Sequence, residues 1–223
     1  RRLAAEGAQV SVGDLNLVGA REAAGEISGD AVELDVTDLD SARAAVEGTG
    51  TLDILVNNAG TDEFGFFVDT TPEQWQKVIA VNLNGVLNCT HAALPGMQSA
   101  GYGRIVNIAS EAGRIGSKGS AVYSAAKGGV IAFTKVTARE GARFGINANG
   151  IAPGPIETPL LMRALEFGEI GEKIVANMKA GTQLRRLGSP DEVAAVVAFL
   201  ASDDASYVTG EIIGVSGGMG MVG

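Results

Sequence analysis

The sequence predicts an α/β domain built on a doubly wound parallel sheet. Three observations predict it: short apolar runs alternate with helix-period segments along the chain, the runs are nearly continuous in apolar residues, and polar or Gly/Pro-rich residues follow each run. Continuous apolar strands are covered on both faces, as crossover helices require, and ligands of such sheets bind beyond the carboxyl ends of the strands.

Taken in order, Arg1 to Glu6 reads as the end of a helix whose beginning is missing, with Gly7 where a left-handed cap stops it. Gln9 to Val12 alternates into a strand ending at Asp14, and Val18 to Ile27 follows the helical period. Val32 and Leu34 mark a brief strand, Leu39 to Val46 a helix, and Ile54 to Val56 an apolar strand running into Asn57, Asn58, Ala59 and Gly60. Pro72 opens a long helix to about Met97, because proline is tolerated in a first turn. Arg104 to Ala109 is a buried strand, Ala121 to Phe144 a long helix, and Asn147 to Ala152 a strand broken by Pro153-Gly154-Pro155. A helix over Pro190 to Leu200 and a strand over Ile212 to Val215 complete the chain. With no internal repeat, linker or low-complexity segment, residues 1–223 read as a single domain.

Composition narrows the function. Seventeen Lys and Arg against 26 Asp and Glu give a net charge of −9, which repels phosphate backbones and argues against nucleic acid and anionic membranes as partners. Cys89 is the single cysteine, so an intramolecular disulfide is excluded and a reducing compartment is expected; no apolar run reaches transmembrane length. The expectation is a soluble, cytoplasmic protein. His91 is the single histidine and cannot build a metal site alone, so no metal is assigned.

The chemistry concentrates at strand ends. Tyr123 and Lys127 lie four apart on one helix and so share a face. A phenol is too weak an acid to act as a base at neutral pH, and a neighbouring ammonium favours the phenolate. Ser110, thirteen residues before Tyr123, ends the strand leading to that helix and offers a hydroxyl able to hold a carbonyl or alcohol oxygen. Trp75 and the Phe64-Gly65-Phe66-Phe67 cluster read either as a border of this site or as core.

Asn57-Asn58-Ala59-Gly60, Asn82 in VNLNG, Ser110 in IVNIAS, Tyr123-x-x-x-Lys127, Pro153 to Thr158 and the closing VSGG together resemble the short-chain dehydrogenase/reductase family over nearly the whole chain. The resemblance implies a Rossmann-like fold and hydride transfer between NAD(H) and a secondary alcohol or ketone. Tyr123 is then the general acid/base, and Lys127 lowers its pKa and bonds the nicotinamide ribose. Ser110 orients the substrate oxygen, and Asn82 holds a water that relays the proton. Asn57, Ala59 and Gly60 line the cofactor, beside Pro153 and Gly154, while Ile156 and Thr158 hold its carboxamide end. Asp14 at a strand end accepts bonds from the adenosine ribose hydroxyls and repels a 2′-phosphate, so NAD is expected over NADP. Asp35 and Val36 fall beside the adenine, although Thr37 or Asp38 could equally start the next helix.

Within the family, NNAGTDEFGFF, NIASEAGRIGSKGSAVYSAAKGG and VSGGMGM look most like the 2-hydroxycyclohexanecarboxyl-CoA dehydrogenases, which implies an alicyclic or 3-hydroxyacyl-CoA substrate. A 3-oxoacyl-thioester reductase and a non-catalytic nucleotide-binding protein on the same fold are the alternatives. Leu160 to Lys179 corresponds to a mobile substrate lid, where Arg163, Lys173 and Lys179 meet either a CoA phosphate or solvent. A homotetramer is implied as well. The family's first strand and glycine-rich phosphate turn are absent; Gly218 to Gly223 matches Gly-x-Gly-x-x-Gly literally but opens no helix. The expectation is a truncated chain whose sheet opens between its two halves. Asn147 and Gly150 depart from the family pattern and are expected to loosen their strand slightly.

Overall fold

The computed structural model describes residues 1–162, 165–166 and 168–221. Three helix–strand pairs and a fourth helix come first: α1 (Arg2–Ala5), β1 (Ser11–Asp14), α2 (Leu17–Gly25), β2 (Asp30–Glu33), α3 (Leu39–Thr49), β3 (Ile54–Asn57) and α4 (Pro72–Ile79). A π-helical stretch, Ala80–Asn84, joins α4 to α5 (Gly85–Ala100). Then come β4 (Gly103–Ile108), α6 (Ala112–Ile115), α7 (Ala121–Gly141), β5 (Ile146–Pro153), α8 (Pro159–Met162), α9 (Glu169–Gly181), α10 (Pro190–Ala201) and β6 (Ile212–Val215).

All strand pairs are parallel, as the apolar runs predict. They form two sheets, β1-β2 and β3-β4-β5-β6, so the expected parting into two halves is observed. The architecture is the Rossmann-like α/β fold. Element bounds shift by a few residues from the sequence reading: β1 starts at Ser11, and the helix expected from Pro72 to Met97 is interrupted at its centre. Lys173 and Lys179 are exposed on α9, in keeping with a solvated face, whereas Arg163 lies outside the described residues.

Local chemistry sets the helix starts. Thr71 accepts from the Gln74 amide while the Gln74 side chain accepts from the Thr71 amide, with Pro72 in the first turn; Ser189, Pro190 and Glu192 repeat the device at α10. Gly7 and Gly101 adopt φ of +97° and +67°, where a side chain would be strained, and end α1 and α5.

The core is two-layered because successive strand residues face opposite ways. Ile105 packs with Met97, Ala138 and Ile146 toward α5 and α7, while its neighbour Val106 packs with Ile151 and Leu200 toward α10. Gly150 is a close-approach position, not a weak point. A Cβ there would lie 2.6 Å from Ile212 Cδ1, and the Asn147 amide ties the same strand to the carbonyls of Ser206 and Val208. Among the described residues no helix is long and apolar enough to cross a membrane.

Removing the Ile105 side chain leaves a cavity between two layers, so Ile105→Ala is expected to lose about 2–5 kcal/mol in urea unfolding. Val68→Ala, at a position 88% exposed, should stay within about 0.5 kcal/mol.

Candidate active site

The parallel register brings the carboxyl ends of β3, β4 and β5 to one edge: Asn57 pairs with Asn107, and Asn107 with Gly150. Ser110 follows β4 there; its hydroxyl accepts from the Ala112 amide at 3.1 Å and stands near enough to Tyr123 to favour ionisation of the phenol. One turn along α7, Lys127 is 3% exposed. Its Nζ donates to the Ile108 carbonyl at 2.7 Å and sits 5.7 Å from the Tyr123 ring centre. The structure thus gathers Ser110, Tyr123 and Lys127 into one small volume.

The electrostatics differ from expectation on one point. Tyr123 is held above the ordinary phenol range, chiefly by burial, with the Ser110 hydroxyl lowering it and the Asp62 charge raising it. The expected downward shift by Lys127 is not what governs this arrangement, because the ammonium is turned onto the Ile108 carbonyl. Burial instead lowers Lys127 itself to about 8.

Asn82 sits inside the π-helical stretch and is 0% exposed. Both its amide hydrogens are used, on the Thr61 carbonyl at 2.7 Å and the Val78 carbonyl at 2.8 Å, and its Oδ1 accepts from the Thr61 amide at 3.3 Å. It therefore pins the loop after β3. π-bulges of this kind recur at functional sites. Gly60 lies between Asn82 and Lys127: a Cβ there would come within 3.0 Å of Asn82 Oδ1 and 3.7 Å of Lys127 Nζ.

The expected cofactor residues follow the carboxyl ends of strands in both sheets, β1-β2 and β3-β4-β5-β6. Asp14 ends β1, is exposed, and only its Oδ1 is engaged among the described residues, by the Asn16 amide at 2.8 Å. Asp35 is held below the usual carboxylate range by the Thr37 hydroxyl and amide. Val36 packs where a Cβ of Gly85 would stand, and its carbonyl accepts from the Asn88 side chain, so this loop is tied to α5. The helix start there belongs to Asp38, whose side chain accepts from the Asp40 amide. Ala59 and Gly60 are exposed beyond β3, whereas the Asn57 side chain is buried and bonds Thr90 and Asn107. Pro153 accepts from the Glu111 amide. Gly154 approaches Ser216 so closely that a Cβ would lie 2.8 Å from its Cα. Ile156 is buried, and Thr158 accepts from the Leu161 amide at the start of α8.

This donor set fits a dinucleotide. An exposed carboxylate with a free oxygen stands at one strand end, and a glycine without side chain lies beside a buried ammonium at another. No Gly-x-Gly-x-x-Gly between a strand and a helix occurs in the sequence, so none of these residues is assigned to the diphosphate. The literal match at the chain end runs into residues 222–223, outside those described.

Sequence reasoning passed over Asp62, Ser120, Glu111 and Arg114. Ser120 stands at the N-cap position of α7 yet makes no cap bond; its hydroxyl donates to Asp62 Oδ2 at 2.6 Å. A polar pair 58 residues apart has no local signature. Glu111 is 1% exposed and pairs with Arg114 at 3.3 Å, and Arg114 also donates to the Ile212 carbonyl, which anchors the segment after Ser110 to β6. Trp75, left open between core and site, lines a cleft with Tyr123 and stacks on Phe67 at 5.1 Å. His91 is an exposed helix residue, and burial raises the Cys89 thiol to about 11, which leaves it unreactive.

The Lys127 shift has a stability consequence. Its folded value of about 8 lies below the ordinary 10.5, so the unfolded chain binds more protons between these values and stability rises with pH across that window. Urea unfolding at pH values below and above the window should show wild type gaining up to about 3 kcal/mol relative to Lys127→Met. A parallel pH dependence of the two proteins would contradict the shift.

Comparisons with known proteins agree with this geometry. A family model described as "Enoyl-(Acyl carrier protein) reductase" matches residues 1–220. The chain is 45% identical over 188 residues to the acetoacetyl-CoA reductase of Shinella zoogloeoides, covering 81% of this chain and 76% of the relative. It is 40% identical over 225 residues to the 3-oxoacyl-[acyl-carrier-protein] reductase FabG of Thermotoga maritima, covering 97% and 89%. The crystal structure of gox2181 superposes with a TM-score of 0.92 at 37% identity, covering 98% of this chain and 88% of that one. With a parallel Rossmann-like fold, a serine and a tyrosine gathered beside a buried lysine, and these relatives across most of its length, the chain belongs to the short-chain dehydrogenase/reductase family of oxidoreductases, whose reductases use a nicotinamide cofactor.

Proposed function

We propose that the protein is a 3-oxoacyl-thioester reductase that draws its hydride from NADH. The observation that carries this reading is Tyr123 itself: half-buried, beside Ser110 and held above the ordinary phenol range by desolvation, it keeps its proton at neutral pH, as the donor to a carbonyl oxygen must. The printed names of the relatives described above favour a thioester over an alicyclic substrate.

When bound, the reduced nicotinamide supplies a hydride to C3 of the oxoacyl group. As the new C–H bond forms and the carbonyl π bond opens, Tyr123 Oη gives its proton to the oxygen, and the product is the 3-hydroxyacyl thioester. Ser110 Oγ holds that oxygen, and Lys127, bonded to Ile108 O, steadies the phenolate left behind until it is reprotonated. Asn82 holds Thr61 and so fixes the loop after β3, with Gly60 beside Lys127. Asp14 would bond the adenosine ribose; Asp35 and Val36 would flank the adenine. Asn57, Ala59, Gly60, Pro153 and Gly154 would border the cofactor, and Ile156 and Thr158 its carboxamide end.

A homotetramer is part of the same reading. Ile79, Leu87 and Val136, on α4, α5 and α7, are 38%, 36% and 47% exposed, which suits packing through these helices. Light scattering should return the mass of four chains.

Acetoacetyl-CoA should oxidise NADH with this protein, and Tyr123→Phe should lower kcat about 10²–10⁴-fold. Lack of turnover above the blank, or a Tyr123→Phe variant with wild-type rate, would overturn the reading. The kcat/KM with NADH should exceed that with NADPH, and Asp14→Ser should narrow the ratio about tenfold. A wild-type preference for NADPH would reverse the cofactor assignment.

A further inference from the structure

Beside the proposed proton donor stands a carboxylate that pairs with no cation among the described residues. Asp62 follows the Asn57–Gly60 edge and is half-buried; it lines one cleft with Gln74, Trp75, Val78 and Tyr123. Ser120 is 7% exposed and donates to Asp62 Oδ2 at 2.6 Å instead of capping α7, which locks the carboxylate toward that cleft. No salt bridge among the described residues includes Asp62. The nearby charges are otherwise engaged. Glu63 on the same loop pairs with Lys77 of α4 at 2.5 Å, Lys118 lies 5.5 Å from the Phe66 ring, and Lys127 of α7 bonds the Ile108 carbonyl. The Asp62 carboxyl therefore faces the cleft that Tyr123 also lines; burial raises it above the usual carboxylate range against the Ser120 bond, and its charge opposes ionisation of the Tyr123 hydroxyl.

We propose that Asp62, held by Ser120, determines substrate specificity by charge. Its carboxylate excludes oxoacyl compounds with a free carboxylate near the reacting carbonyl, and admits those whose acid end is masked as a thioester or ester. Two like charges brought together in a partly desolvated cleft repel strongly, whereas a thioester is neutral at that point. The phosphates of a CoA carrier sit at the far end of an arm longer than the ~8 Å Debye length and are screened. The inference deepens the thioester reading and rests on it for its choice of substrate.

Acetoacetate and ethyl acetoacetate share one 3-oxo group and differ in this charge. Wild type with NADH should favour the ester in kcat/KM by about 10²-fold, and Asp62→Asn, which keeps an acceptor for Ser120, should narrow the ratio about tenfold. A ratio within about twofold of wild type overturns the proposal. Asp62→Ser provides the same comparison if the amide disturbs the loop.

A second readout is independent of turnover. Tyr102, Tyr123 and Tyr207 are the three tyrosines, so in a Tyr102→Phe, Tyr207→Phe background the near-ultraviolet phenolate signal reports Tyr123 alone. Asp62→Asn should move that ionisation to lower pH, and an unmoved midpoint overturns the proposal. Should wild type reduce neither compound nor acetoacetyl-CoA, the thioester reading fails, and this titration still decides whether Asp62 projects its charge onto the site.

Discussion

The burial of one ammonium organises this molecule. Lys127 is shut away from water on α7, and its charge is met by the Ile108 carbonyl at the end of β4. Desolvating an ammonium is unfavourable, so the surroundings must hold both partners closely. They do so by leaving out side chains. Gly60 leaves room for Lys127 and Asn82, and a Cβ on Gly113 would strike the Lys127 backbone at 2.7 Å. Three segments from distant parts of the chain can then converge on a single charge, and the Tyr123 ring lies over it.

Two buried polar systems keep that convergence in register. Thr90, Asn57, Asn107 and Thr134 form a continuous chain of side-chain bonds from α5 through β3 and β4 to α7. Each buried amide left without a partner would be costly, so slipping any one of these elements breaks the chain. On the other side, Glu111 and Arg114 tie the segment behind Ser110 to β6, and Gly214 and Gly220 make room for the carboxylate. The position of the Ser110 hydroxyl therefore depends on bonds made by neighbouring residues as well as its own.

Several features were legible in order along the chain because their physics is local. The apolar runs Ile54–Val56 and Arg104–Ala109 report covered parallel strands, and Pro72 and Pro190 mark helix starts. The four-residue spacing of Tyr123 and Lys127 guarantees a shared helix face. Other features were not legible. The π-helical stretch around Asn82 carries no local sequence signal, and its Asn82 side chain bonds the loop after β3, 21 residues away in sequence. The bonds of the Asn57 side chain to Thr90 and Asn107 have no local signature, and Gly150, expected to loosen its strand, allows β6 to approach.

The sequence by itself determined the parallel α/β architecture, the strand-end placement of Ser110, and the pairing of a phenol with an amine. Each of these follows from periodicity within one element, where neighbours in sequence are neighbours in space. Only the tertiary structure decided which way Tyr123 shifts, that Lys127 faces a carbonyl, and that Asp62 and Ser120 meet beside them. Those outcomes depend on burial and on contacts across crossovers, which no local pattern of residues encodes.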